Sequence, residues 1–255
     1  MILIWGEGPA VENRPSRGRP QCEQSSLYSV DLRPGRISIM KREQVKACIE
    51  KVGIFPGIRV NSADDALYCA ETLYEAGIPV AEITMTVPGA IEAIRQLAER
   101  FPSLVVGAGT VLDKDTAERC LDAGATFITS TGLVMEVIEA TLGRGVVAIP
   151  GALTPTEVIA AWKSGADFVK VFPAASLGAD LYIQSLKLPL PQVQLIAAGG
   201  VNPKTAPNFI LAGATAIGVG TELLPTDAVQ GRQDDRIHEL ARRFLGLVKE
   251  GRMPM

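Results

Sequence analysis

From Gly53 onward the chain repeats one pattern eight times: a short apolar run rich in β-branched residues, then a longer stretch of helical periodicity. Such alternation signals βα units and a parallel sheet, because parallel neighbours need a crossover long enough to hold a helix. The strand-like runs fall at residues 54–59, 80–85, 104–109, 126–130, 146–150, 167–172, 193–198 and 215–219. Helix starts are marked by Ser62 with Asp65, by Asp113, by Thr154 with Pro155 and Glu157, and by Asn202 with Pro203. Glycine ends a helix in Glu75-Ala76-Gly77, Asp122-Ala123-Gly124, Lys163-Ser164-Gly165 and Leu211-Ala212-Gly213. These ends recur about every two βα units, an internal periodicity. Eight units predict the α/β class and a single-domain (β/α)8 TIM barrel, small for its kind. The rival is a doubly wound open sheet, which wants a dinucleotide fingerprint; Gly107-Ala108-Gly109 lacks the third glycine.

With 255 residues, 47% of them hydrophobic, the chain can bury one large core. A net charge of -3 and the absence of a basic stripe with interleaved aromatics argue against nucleic acid as a partner. The one histidine, His238, lies in the charged run Asp234-Asp235-Arg236-Ile237-His238-Glu239 and is expected at a solvated surface. Ser-His-Asp and Cys-His chemistry and His-based zinc binding have little material to work with, so no metal site is assigned. Cys22, Cys48, Cys69 and Cys120 are scattered without a CxxC, which suits reduced thiols and a cytoplasmic location. Cys69 and Cys120 fall in helical patterns as core fillers.

No window reaches the roughly 18 apolar residues of a membrane span. Met1-Ile2-Leu3-Ile4-Trp5 is too short, and its sequel is wrong for a signal peptide. Residues 1–39 carry turn formers and charge without periodicity. They are expected to be a disordered N-terminal extension, or an artefact of start-site assignment, which the mass of the native protein tests. Met40 opens an amphipathic helix, and residues 40–255 form the barrel domain.

Chemistry concentrates on Lys170, a cation inside the apolar run Asp167-Phe168-Val169-Lys170-Val171-Phe172-Pro173. Alternation puts Phe168, Lys170 and Phe172 on one face of a buried strand. A dry site disfavours the ammonium, leaving more free amine to attack a carbonyl carbon and form a Schiff base. The bland reading is a lysine at a strand end that snorkels to solvent. Catalytic groups of such barrels sit at the C-terminal ends of strands. There strand two points Glu82 and Thr84 inward while Ala81, Ile83 and Met85 pack on helices; strand three offers Thr110 and strand one Arg59. A purely structural ion pair of Glu82 with Lys170 or Arg59 is the alternative, although such pairs seldom recover their desolvation. The last two strands end in Ala197-Ala198-Gly199-Gly200-Val201 and Gly218-Val219-Gly220-Thr221. Bare backbone N–H groups beside a hydroxyl make an anion site there and favour a phosphorylated substrate.

From Gly53 to Pro225 these residues resemble the 2-keto-3-deoxy-6-phosphogluconate / 4-hydroxy-2-oxoglutarate (KDPG/KHG) aldolase family. The likeness is carried by Glu82-Ile83-Thr84-Met85-Thr86-Val87-Pro88, Gly107-Ala108-Gly109-Thr110-Val111-Leu112, Ile149-Pro150-Gly151, Val169-Lys170-Val171-Phe172-Pro173 and Gly199-Gly200-Val201, in order and spacing. It implies a class I lyase in which Lys170 forms the Schiff base and Glu82 moves protons through a water. It further implies that Thr110 and the Gly109 region hold the pyruvyl carboxylate, that Phe172 packs on the pyruvyl group, and that Thr84 and Pro150 line the site. Gly199, Gly200, Gly220 and Thr221 would receive the distal end.

The chain departs from the family in three places. Thr86 stands where members carry an arginine for the substrate carboxylate, and Arg59 is expected to substitute. Ala197-Ala198 replaces a Pro-Thr pair, and Ser130-Thr131 a Ser-Pro pair, both at the aldehyde end.

The expected reaction is cleavage of a 2-keto-3-deoxy sugar acid, 6-phosphorylated as in the KDPG type, to pyruvate and an aldehyde such as glyceraldehyde 3-phosphate, by a homotrimer using no metal or organic cofactor. KHG and 2-keto-3-deoxy-6-phosphogalactonate are the alternative substrates. The rival readings are a phosphosugar isomerase or synthase on the same barrel, and a non-catalytic barrel that senses phosphorylated sugar acids.

Overall fold

The structure, a computed structural model, describes residues 40–253; the segment read as a disordered extension, residues 1–39, lies outside the described residues. Its strands are β1 (Ile54–Ile58), β2 (Val80–Thr84), β3 (Val105–Gly109), β4 (Phe127–Thr129), β5 (Val147–Ile149), β6 (Gly151–Ala152), β7 (Val169–Val171), β8 (Leu195–Ala198) and β9 (Ala216–Val219). All pairings are parallel, in the order β5-β4-β3-β2-β1-β9-β8-β7-β6. The two end strands of this sheet are consecutive in the chain, so the sheet curls into a barrel.

The fifth predicted strand, 146–150, is split at Pro150. Proline has no N–H to give a ladder. The lower half pairs with β4 (Phe127↔Val147, Thr129↔Ile149) and the upper half with β7 (Gly151↔Lys170). The Lys170 N–H donates to the Pro150 carbonyl at 2.9 Å and bridges the break. Eight positions around the ring are therefore filled by nine strand segments.

Helices α1 (Arg42–Val52), α2 (Ala63–Glu75), α3 (Ala90–Arg100), α4 (Lys114–Asp122), α5 (Met135–Gly143), α6 (Pro155–Lys163), α7 (Asp180–Lys187), α8 (Ala206–Leu211), α9 (Thr226–Gln230) and α10 (Asp234–Gly251) alternate with the strands. Ser62 and Asp113 accept from the N–H groups of Asp65 and Thr116 as caps, and Thr154 with Glu157 forms a capping box. Asn202 does not start a helix. Its side chain closes a turn by accepting from the Lys204 and Thr205 N–H groups, and α8 begins only at Ala206.

Two cores result. Inside the barrel, Phe55, Val80, Val105, Phe127, Val147, Ile149, Phe168, Ile196 and Ala216 pack with Val45 and Ile49 of α1. Helix α1 thus stoppers the N-terminal end. It is latched there by Arg42, whose Nε donates to both carboxylate oxygens of Asp167 at 3.0 Å, while the Ala148 N–H donates to the same carboxylate. Between strands and helices lies the larger core, which takes Ala81, Ile83, Cys69 and Cys120. His238 departs from expectation: it is half-buried on α10, beside the inward Ile237, and its Nε2 is enclosed without a hydrogen-bond partner. Among the described residues no helix is long and apolar enough to cross a membrane.

Candidate active site

With the lower barrel filled, only its C-terminal half has room for chemistry. Along β2, Val80 belongs to the sealed interior, Glu82 stands at the next inward level and Thr84 at the rim. The inward positions of β3 beside them are glycines, with Glu82↔Gly107 and Thr84↔Gly109 in register. A Cβ on Gly107 would run into the Phe127 ring, and one on Gly109 into the Glu82 carboxylate. Bare backbone on β3 is what lets the Glu82 side chain lie across it toward β4.

There the Thr129 hydroxyl donates to Glu82 Oε1 at 2.7 Å. From the far side comes Lys170 on β7, four strand positions from β2 in either direction around the ring. Its Nζ lies 3.2 Å from Glu82 Oε1 and 3.3 Å from Oε2. Lys170 is 9% exposed and Glu82 2%, so the lysine does not snorkel out. A charged pair this enclosed costs desolvation that a merely structural contact rarely recovers. An amine is a nucleophile toward a carbonyl carbon, and a carboxylate within hydrogen-bond reach of it can carry protons.

The other expected residues gather at the same end of the barrel in different states. Thr110 follows β3 with φ 60°, a left-handed conformation costly for threonine, and its Oγ1 is enclosed without a partner. An unsatisfied buried hydroxyl is a donor suited to a ligand. The Thr84 hydroxyl, by contrast, is taken by the protein: it donates to the Ile58 carbonyl at 3.1 Å and lies 2.8 Å from the Thr86 hydroxyl. Thr86, where the resemblance leads to the expectation of an arginine, thus braces Thr84. Arg59, just beyond β1, is exposed and has no hydrogen-bond or ion-pair partner among the described residues.

Pro150 is buried at the β5–β6 break, and Phe172 is half-buried one residue beyond β7, before a cis peptide bond to Pro173. Gly199 and Gly200, after β8, have φ 86° and 80°. Gly199 packs against Phe172 and Pro173, and any Cβ on Gly200 would strike Ala175, so the chain turns there only as glycine. Gly220 and Thr221 follow β9, exposed. Thr129 is the one site residue that the sequence reading missed. Its signal was available: it stands two residues beyond Phe127 on an alternating strand, hence inward. Among the described residues no three of His, Cys, Asp and Glu come together as a metal-binding group. A cavity of about 580 Å³ at the N-terminal ends of β8 and β9, lined by Gln194, Thr215 and Arg252, lies at the opposite end from this chemistry.

The family model "KDPG and KHG aldolase" matches residues 45–240. The KHG/KDPG aldolase of Escherichia coli strain K12 is 33% identical over 190 residues, which cover 74% of this chain and 89% of that protein. Among solved structures, a KDPG aldolase from Legionella pneumophila, with pyruvate captured at low pH as a covalent carbinolamine intermediate, is similar at a TM-score of 0.72 and 31% identity, covering 78% of this chain and 96% of that one. A native KDPGal structure is similar at a TM-score of 0.73 and 28% identity, covering 79% and 96%. Fold and site together define a class I aldolase, a carbon–carbon lyase on a (β/α)8 barrel. The chain belongs to the KDPG and KHG aldolase family.

Proposed function

We propose that the protein cleaves a 2-keto-3-deoxy sugar acid, 6-phosphorylated at its distal end, to pyruvate and an aldehyde, with Lys170 as the Schiff-base residue and Glu82 as the proton carrier. The observation that carries this reading is the buried Lys170 Nζ, 3.2 Å from the Glu82 carboxylate. The free amine attacks C2, and the resulting carbinolamine loses water to give an iminium. Glu82 takes the C4-hydroxyl proton, directly or through a water, as the C3–C4 bond breaks. The bond's electron pair moves into the enamine, and the aldehyde departs. Glu82 then returns the proton to C3. Water adds to C2 of the iminium, pyruvate leaves and the amine is regenerated, so one water is released and one consumed.

The unpartnered Thr110 hydroxyl is suited to the pyruvyl carboxylate, with Phe172 and Pro150 as apolar walls. Arg59, beside strand one and without a charged partner among the described residues, supplies the charge that Thr86 does not. Arg59→Ala is expected to weaken pyruvate binding about tenfold; unchanged pyruvate affinity by calorimetry contradicts this role. The consecutive left-handed glycines Gly199 and Gly200, with Gly220 and Thr221, suit a terminal phosphate. We place the enzyme in the cytoplasm as a homotrimer, which a sedimentation mass three times that of the chain supports and a monomer mass contradicts.

The relatives' names span KDPG, KHG and KDPGal, and a lactate-dehydrogenase-coupled cleavage assay chooses among them. Release of pyruvate fastest from a 6-phosphorylated 2-keto-3-deoxy acid is the expected result. A preference for 4-hydroxy-2-oxoglutarate overturns the phosphorylated substrate, and no pyruvate from any acid overturns the activity.

A further inference from the structure

The two oxygens of Glu82 have unequal surroundings. Oε1 accepts from both the Thr129 hydroxyl, at 2.7 Å, and Lys170 Nζ, and lies where a Cβ on Gly109 would be. Among the described residues Oε2 accepts only from Lys170, at 3.3 Å, and it also faces Gly57 of β1, which has no side chain to close the space. Thr129 is fully buried on an inward strand position, where valine would have the same shape without a polar atom to satisfy. Its hydroxyl spans to a carboxylate 47 residues away, across the gap that glycines open on β3.

We propose that Thr129 is a positioning residue that pins Oε1 of Glu82 and so reserves Oε2 as the oxygen that carries protons. The proposal rests on the Schiff-base reading above. Once Lys170 is bonded to C2, its nitrogen keeps at most one N–H, so it cannot continue to hold both carboxylate oxygens. Oε1 still has Thr129. Oε2 is left bare toward the open side, where a water or the C4 hydroxyl can meet it. Without the hydroxyl, the terminal torsion of Glu82, intrinsically soft, is free to exchange the two oxygens and tilt the carboxylate away from the reacting carbon.

Thr129→Val, which removes the hydroxyl at constant shape, and Thr129→Ser, which keeps it, are tested by three readouts. Borohydride trapping of pyruvate reads Schiff-base formation. Deuterium exchange at C3 of pyruvate, followed by NMR, needs both the Schiff base and proton transfer, so its comparison with trapping isolates the proton step. Steady-state kinetics separate kcat from KM. Lys170 from β7 is the charged group facing Glu82, while β1, β3 and β4 bring Gly57, Gly109 and Thr129.

In Thr129→Val, trapping is expected to match the parent, while C3 exchange and kcat fall about 10- to 100-fold at little-changed KM, the range for a lost bond to a charged group. Thr129→Ser is expected to restore both within a few-fold. Parent-like exchange and kcat in the valine variant overturn the proposal, as does a serine variant no better than valine. If the valine variant does not fold, Thr129→Cys, of similar size and with a weaker donor, is held to the same outcomes. Failure to trap pyruvate on the parent protein itself overturns the Schiff-base reading and this proposal with it.

Discussion

Lys170 and Glu82 could be recognised in the sequence because period-two alternation turns each inward on a buried strand, where an unpaired charge is too costly to keep. The structure adds what alternation cannot express, that two strands on opposite sides of the ring bring the groups to 3.2 Å. Thr129 was hidden because threonine is an ordinary strand former and its acceptor lies 47 residues away. Thr84 was read correctly as inward, yet its hydroxyl serves Ile58 and Thr86, a pairing that only the register of β1 against β2 creates. Gly109 gives this scale its sharpest test. An alanine there must displace the Glu82 carboxylate, because its Cβ would occupy the same space. Gly109→Ala is expected to fold and to lose about 100-fold in kcat, the consequence of a misplaced catalytic group; a kcat near that of the parent, with an unchanged circular dichroism spectrum, contradicts the role given to that glycine.

At the scale of elements, local chemistry was a good guide wherever the signal and its partner are close in sequence. The caps at Ser62, Asp113 and Thr154 are contacts over three residues, and each formed. Asn202 carried the same kind of signal but satisfied its nearest N–H groups in a turn, so α8 starts later. The break at Pro150 is written in the residue type, while its result, two half-strands serving different neighbours, depends on barrel closure. Helix α6 has a pH signature. The Glu157 carboxyl is held below its ordinary range by the Thr154 N–H first, then by the Leu153 N–H and the Thr154 hydroxyl. A lowered carboxyl stabilises the fold above its unfolded value and loses that contribution as pH falls through the folded one. Glu157→Gln is therefore expected to cost about 0.5–1 kcal/mol in urea unfolding at pH 7, a cap-sized effect at a solvent-screened site. The difference should close below about pH 4. A difference that persists unchanged into acid contradicts the assignment.

For the whole molecule, repetition of βα units made the barrel legible, but the function of α1 was not. Its amphipathic pattern announces a helix; that this helix stoppers the barrel depends on Arg42 meeting Asp167, 125 residues on. The stopper and the filled lower interior leave the C-terminal end of the barrel for the proposed site. Arg59, Glu82, Thr110, Thr129, Pro150, Lys170 with Phe172, Gly199 with Gly200, and Gly220 with Thr221 follow one another around the rim or just inside it. Such convergence brings one amine and one carboxylate from different strands within 3.2 Å of each other. The Lys170 amine is the proposed nucleophile. Incubation with pyruvate and borohydride, followed by peptide mass spectrometry, should place a reduced pyruvyl adduct on Lys170 and nowhere else, and Lys170→Ala should abolish it. An adduct confined to another lysine, or none while cleavage activity persists in Lys170→Ala, would contradict it.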